Sequence, residues 1–201
     1  MWRHLFGIMF KLKMIILLVV GSLVVAHQSS AQSTNAYPLT MLETVENTTG
    51  QLVVKGSAPS GDVSLGSTTL TVVCKEDSLP STGKKLYGIL VDLKSSGLED
   101  ATVVDYDEMD ALLQSVDYVS KTDWSVSPLP SFSAGYTTEA GLRIAAYSSQ
   151  RKGQIKFVLH GSHYAKGIPL SADQLSKFYD LLAQAKAQLD QLRNGTVTGR
   201  N

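Results

Sequence analysis

Between Leu170 and Asn194 the chain spells an amphipathic helix with both of its ends marked. Ser171 and Gln174 have the S-x-x-Q spacing of a capping box, which satisfies backbone donors of the first turn. Leu175, Phe178, Leu182, Ala185, Leu189 and Leu192 follow at alternating steps of three and four. That spacing gathers them in one stripe, with Lys177, Asp180, Gln184, Lys186, Gln188 and Gln191 largely outside it. Asn194-Gly195 supplies a stop, since both residues tolerate the left-handed conformation that closes a helix. A stripe of this length must be buried on a sheet or on another helix, so the rest of the chain has to provide that cover.

The helix has an echo 66 positions earlier. Asp105 aligns with Ser171, Glu108 with Gln174, Met109 with Leu175, Leu112 with Phe178 and Val116 with Leu182. In both places a short apolar strand (Thr102–Val104, Ile168–Leu170) runs directly into a capped helix. Self-similarity carries weight when it spans more than one element, and the strand count extends it. Four strands, Gln51–Lys55, Thr69–Lys75, Leu86–Leu93 and Ala101–Val104, precede a helix from about Tyr106 to Lys121, with room for a short strand around Val63. Its apolar stripe is Met109, Leu112, Leu113, Val116 and Val119. Pro128 and Pro130 end that helix's reach. Strands at Ser131–Thr138, Leu142–Ser149, Gln154–His160 and Lys166–Leu170 then lead to the closing helix. Leu86–Leu93 is apolar on both faces near its middle and reads as a central strand. Ser57–Ser67, with Pro59, Gly61 and Gly66, reads otherwise as turns. The expected class is α+β: two ββββα-like halves, about 51–121 and 131–195, of antiparallel sheets each packed with one amphipathic helix. The βαβ rhythm of a nucleotide-binding parallel sheet is absent from the pattern.

The start of the chain reads as an address. Arg3, Lys11 and Lys13 precede thirteen uncharged, mostly apolar residues, Met14–Ala26, and small residues follow at Ser29, Ser30 and Ala31. The apolar run is short for a membrane span and has the order of a secretory signal peptide cut after Ala31. The expectation is a secreted or periplasmic protein without a stable anchor after cleavage. Residues 32–50 read as a polar tail, 51–195 as one domain and 196–201 as a disordered tail. Removing 1–31 leaves 15 basic and 18 acidic side chains, a net of −3, which lacks the basic footprint of a general nucleic-acid binder. Residues 32–130 carry a net −8 and 131–201 a net +5. Cys74 is the only cysteine, so no intramolecular disulfide forms. It alternates with Leu70 and Val72 and reads as a small core residue.

The runs ATVVDYDEMDALLQSVDYVSKTD, YTTEAGLRIAAY and SADQLSKFYDLLAQAKAQLDQLR resemble a family of uncharacterised exported bacterial proteins over most of residues 69–193. The resemblance implies export and brings no activity with it. At the level of topology, two strand-rich units each closed by a helix are similar to the Whirly and Pur-alpha-like folds. That likeness implies single-stranded nucleic-acid binding on basic and aromatic sheet faces, against which the net charge and the export signal stand.

Few side chains in the sequence are arranged for chemistry. Ser81–Lys84 and Ser149–Lys152 match S-x-x-K, but in predicted turns and without the partner motifs. His160 and His163 form an H-x-x-H pair leaving a strand, two ligands where a zinc site needs more. They read as solvent-facing loop residues. The acidic run Glu99 to Asp110 lacks the glycine and spaced glutamate of a calcium loop, and acids in a helix's first turn are expected from the macrodipole. Tyr136, Tyr147 and Phe157, with the two histidines, are the candidate ligand-binding side chains; strand aromatics more often serve packing. No catalytic residue, metal or cofactor is called for. The leading expectation is a non-enzymatic binding or interaction module for an unknown protein or small ligand. A hydrolase-type or metal-dependent enzyme with a dispersed site at His160, His163 and Asp105–Asp110 is second, and single-stranded nucleic-acid binding third. The stripe on the Ser171–Arg193 helix also allows a homodimer, against the account in which that helix lies across both sheets of one chain.

Overall fold

The computed structural model describes residues 37–149, 153–163 and 167–195. The signal-like segment and the C-terminal tail lie outside them. The first sheet is a meander of β1 (Val54–Leu65), β2 (Thr68–Leu79), β3 (Lys84–Ser95) and β4 (Leu98–Asp105), in that order and antiparallel throughout. The second is β5 (Ser133–Thr137), β6 (Arg143–Ser149), β7 (Gln154–His160) and β8 (Ile168–Leu170), in the same order. A helix follows each: α2 (Met109–Ser120), entered through a 3-10 turn at Tyr106–Glu108, and α3 (Ala172–Arg193). The class is α+β, as the alternation of patterns predicts.

β1 is where the sequence misleads. Pro59 and Gly61 are turn signals, yet they lie inside a continuous twelve-residue strand. The strand is at a sheet edge, where a proline need not donate to the ladder. The pairing steps from Pro59↔Val73 to Gly61↔Val72, so Ser60 is an extra residue in a β-bulge. Its hydroxyl lies 3.3 Å from the Cys74 thiol and 3.2 Å from Gln188 Oε1 of α3.

Alternation sorts each sheet into an inner and an outer face. Leu70, Val72, Cys74, Ile89, Val91 and Leu93 turn inward from the first sheet, and Ile144, Ala146 and Leu159 from the second. One continuous core takes in both sheets and the stripes of both helices. The helices are exchanged. α2, from the first half, crosses to the second sheet and lies on β5 and β6, whereas α3 lies on β1, β2 and β3. The two helices also pack on each other. Neither half therefore buries its sheet with its own helix. The α3 stripe is consumed inside the chain: Leu175, Phe178, Leu182, Ala185 and Leu189 are fully buried, and Leu192 is packed against the same core. The α3 cap is the capping box of Ser171 and Gln174. At the far end Tyr106 donates its hydroxyl hydrogen to Asp190, Arg193 lies 3.8 Å from the Tyr106 ring centre, and Lys186 reaches both Asp190 and Asp110.

The Asp105–Glu108 echo keeps its position but not its use. Asp105 makes no side-chain cap to its own helix. Its carboxylate accepts the N–H groups of Met41 and Leu42 instead. These open α1 (Met41–Glu46), a helix with a Thr40–Glu43 capping box in the stretch read as a polar tail. α1 lies on the outer face of the first sheet, where Leu42 is fully buried among Leu86, Val103 and Leu90. A side chain at Gly88 would meet Leu42 at 2.6 Å, so that glycine makes the room for it. A six-residue helix is too short to be read from periodicity; only its cap residues signal it.

Beside α1, Asp77 is fully buried, and among the described residues neither carboxylate oxygen has a hydrogen-bond partner. Burial, and then the neighbouring Glu46 carboxylate, raise its pKa. Glu46 is held low, against its own burial, by Lys75 and Lys55. For Asp77 the folded pKa lies above the unfolded one, so its contribution to stability falls as pH rises from the ordinary aspartate range near 4 through the raised value. Asp77→Asn is expected to remove that loss, leaving the variant about 1 kcal/mol more stable than the parent at pH 8 and nearly equal at pH 4. Denaturant melts at the two pH values read this out; a variant weaker at pH 8 contradicts it.

Candidate functional site

The two candidate histidines have different surroundings. His160 ends β7 opposite Arg143 and is half-buried. The His163 side chain is 82% exposed, in the loop after β7. That loop meets β4 of the first sheet. Asp100, 3% exposed, accepts the His163 N–H at 3.1 Å, and the Ser162 N–H donates to Thr102 Oγ1 at 3.1 Å. Ser162 Oγ is 2.7 Å from His163 Nδ1, and Nδ1 is 3.5 Å from Asp100 Oδ1. The composition is that of a serine–histidine–aspartate triad, but the wiring is not. A triad needs serine and carboxylate on opposite ring nitrogens, so that the ring passes a proton between them. Here both face Nδ1. Asp100 instead fastens the β7–β8 loop to β4, joining the two halves. Three of the Asp105–Asp110 carboxylates are likewise engaged: Asp105 by α1, Asp110 by Lys186, and Glu108 by the Tyr136 hydroxyl at 2.8 Å and the Glu139 N–H at 3.0 Å. Burial raises the Glu108 pKa despite these donors, and burial followed by the Glu108 contact pushes the Tyr136 phenol far above its usual range. Among the described residues no three His, Cys, Asp or Glu side chains are grouped to hold a metal ion.

The candidate aromatics do not share a face. Tyr136 and Phe157 turn inward against the core, whereas Tyr147 is outward and 37% exposed. On that outer face Tyr147 pairs with Lys156, and Arg143 lies on the same strand as Tyr147. Cys74 offers no nucleophile, since its thiol is buried and burial raises its pKa.

What the fold leaves open is a sheet edge. Four strands end sheets, and three carry features that discourage a further strand. β1 has Lys55, Pro59 and the bulge, and Gln174 Nε2 donates to its Ser64 carbonyl. β4 carries Glu99, Asp100 and Asp105, and β8 has three residues, one of them Pro169. β5, Ser-Ala-Gly-Tyr-Thr, has no charge, no proline and no bulge. Flanking ladder bonds fix its orientation: Ser148 N–H donates to Phe132 O, and Thr138 N–H to Leu142 O. By alternation the backbone groups of Ala134 and Tyr136 face β6, and those of Ser133, Gly135 and Thr137 face outward. Among the described residues no strand pairs with that outer edge. A groove of about 280 Å³ runs beside it, lined by Gln114, Ser115, Tyr118 and Val119 of α2 and by Gly135 and Tyr136. Every lining residue is uncharged, and Tyr118 is 58% exposed.

Of the candidate residues, the groove takes in only Tyr136. Tyr118 and Gly135 read as ordinary local grammar; the sequence signal that does find β5 is the run without a charged side chain from Trp124 to Thr138. A second groove of about 370 Å³ lies beside Gly56–Ala58, Cys74 and Leu192, on the edge that Pro59 and the bulge interrupt. No family model, curated protein or solved structure matches this chain.

Proposed function

We propose that this protein is an exported, non-enzymatic binding module that takes an extended strand along the outer edge of β5. The observation that carries this reading is the bare β5 edge beside an open, uncharged groove, on a fold whose other edges are charged, bulged or cut short. Strand addition draws affinity from main-chain hydrogen bonds and selectivity from pockets for alternate side chains. Ser133, Gly135 and Thr137 present the first; the space between Tyr118 and Tyr136 presents the second. Export rests on the signal-like order of residues 1–31.

The test uses a synthetic peptide of residues 131–139 as a surrogate strand, titrated into the isotope-labelled chain that starts after Ala31. Amide shifts confined to Ser133–Thr137 and to Gln114–Val119 are expected. Ser133→Pro removes one outward N–H without touching the ladder to β6 and is expected to weaken binding about tenfold, the scale of one or two lost hydrogen bonds. Shifts elsewhere, or none at millimolar peptide, contradict the reading. Single-stranded nucleic acid is the second reading, favoured by the Tyr147–Lys156 pair and Arg143 on the outer face. Salt-dependent binding of an oligothymidylate, lost in Lys156→Glu, would carry that reading in its place.

A further inference from the structure

We infer that the strand accepted at β5 is β5 of a second copy, paired antiparallel about Gly135 to join two second sheets into one eight-stranded sheet. This rests on the strand-accepting reading above and names its partner. Three observations converge on a second copy. First, β5 is self-complementary: its outward groups belong to Ser133, Gly135 and Thr137, which an antiparallel two-fold axis through Gly135 maps onto one another. Ser133 would meet Thr137 of the second copy, and no charge opposes its own kind. Gly135 also brings its backbone close to β6, since a side chain there would sit 2.9 Å from the Ala145 Cβ.

Second, the helix spacing fits. α2 packs on both β5 and β6, and an axis set over the gap between them fixes the distance. Its axis is then half a strand spacing inside β5, and the two-fold axis is half a spacing outside. Two copies of α2 would run about 10 Å apart across the joined sheet, two strand spacings, which is the ordinary distance between packed helices. Third, the α2 face at that distance is suited to a helix. Ala111, Gln114, Ser115 and Tyr118 form an uncharged stripe, while Asp110, Asp117 and Lys121 lie beside it. The groove along β5 is the space in which the two Tyr118 rings would close.

The seven residues named on each copy are fewer than the roughly 20–30 of a standard interface, so a weak dimer is expected, with a dissociation constant of about 10–100 μM. Sedimentation equilibrium of the chain starting after Ala31, from 5 to 500 μM, or about two decades around that range, tests it. Mass rising from monomer to dimer, with Ser133→Pro and Tyr118→Lys each shifting the midpoint up at least about tenfold, is the expected result. Both substitutions are at exposed positions, and an unchanged circular dichroism spectrum verifies their fold. A chain that stays monomeric throughout overturns the second-copy inference. If the 131–139 peptide still shifts the β5 amides, strand acceptance survives that failure; if it does not, both fall. A dimer indifferent to both substitutions also overturns the inference, because it forms elsewhere.

Discussion

Phe178→Ala is expected to destabilise the whole protein by about 3–5 kcal/mol, the usual effect of emptying an aromatic site in a well-packed core. Phe178 is the largest of the fully buried side chains. It belongs to α3, which is encoded in the second half and covers the first sheet. The exchange makes the consequence non-local: loosening α3 uncovers β1–β3 and also removes the surface on which α2 rests. Far-UV circular dichroism and the fluorescence of Trp124, which sits edge-on to Phe132 beyond α2, should shift together by the same amount. A chain of two independent halves would behave otherwise, with the Trp124 signal holding its midpoint while part of the dichroism signal moved. Two separated transitions would contradict the exchanged arrangement.

Leu42→Ala is the second large effect, and it should read differently. Leu42 is fully buried, and a buried leucine cut to alanine costs about 2–5 kcal/mol. Its surroundings are a small separate cluster of Leu86, Val103, Val45 and Leu90 on the outer face of the first sheet. α1 is six residues long and is held otherwise by Asp105 and by Glu46 to Lys55 and Lys75. It can leave the sheet without opening the main core. The global loss is therefore capped at whatever α1 docking contributes, and the remainder appears as local opening. Hydrogen exchange is expected to quicken at Thr44–Asn47 far more than at Ile89–Leu93. Equal acceleration at both places would mean that α1 is part of the main cooperative unit.

Which of these features the sequence discloses follows from how local their causes are. The α3 stripe and its capping box are written in consecutive residues, and all five of Leu175, Phe178, Leu182, Ala185 and Leu189 are buried as the spacing predicts. The alternation of Leu70, Val72 and Cys74, and of Ile89, Val91 and Leu93, likewise sets which faces meet. β1 was not legible, because Pro59 and Gly61 signal a turn unless the strand is known to lie at an edge. α1 hides for lack of length. The Asp105 cap shows the limit most clearly: its spacing to Glu108 reads as a local capping box, while a partner 63 residues away takes the carboxylate. The exchange of helices depends on which sheet each stripe finds, and no periodicity encodes that choice. The candidate site divides the same way. Tyr136 was legible as a strand aromatic, but the bare edge next to it is a property of sheet order. His163 illustrates the converse, a chemically suggestive residue whose neighbours Ser162 and Asp100 use it to fasten a loop.

In the proposed arrangement the outer edge of β5 is free in the lone chain and is covered by an incoming strand. Amide hydrogen exchange resolved residue by residue along β5 tests it most directly, at about 5 μM and about 500 μM protein, concentrations either side of the expected dissociation constant. At low concentration Ala134 and Tyr136, whose N–H groups bond to β6, should be protected, with Ser133, Gly135 and Thr137 exchanging quickly. At high concentration, or with the 131–139 peptide, the three odd-numbered amides should slow and the even-numbered pair should change little. Odd-numbered amides already as protected as their neighbours at the lowest concentration would show that the edge is not free. Odd-numbered amides that stay fast under every condition would show that nothing binds there, and either result would contradict the account.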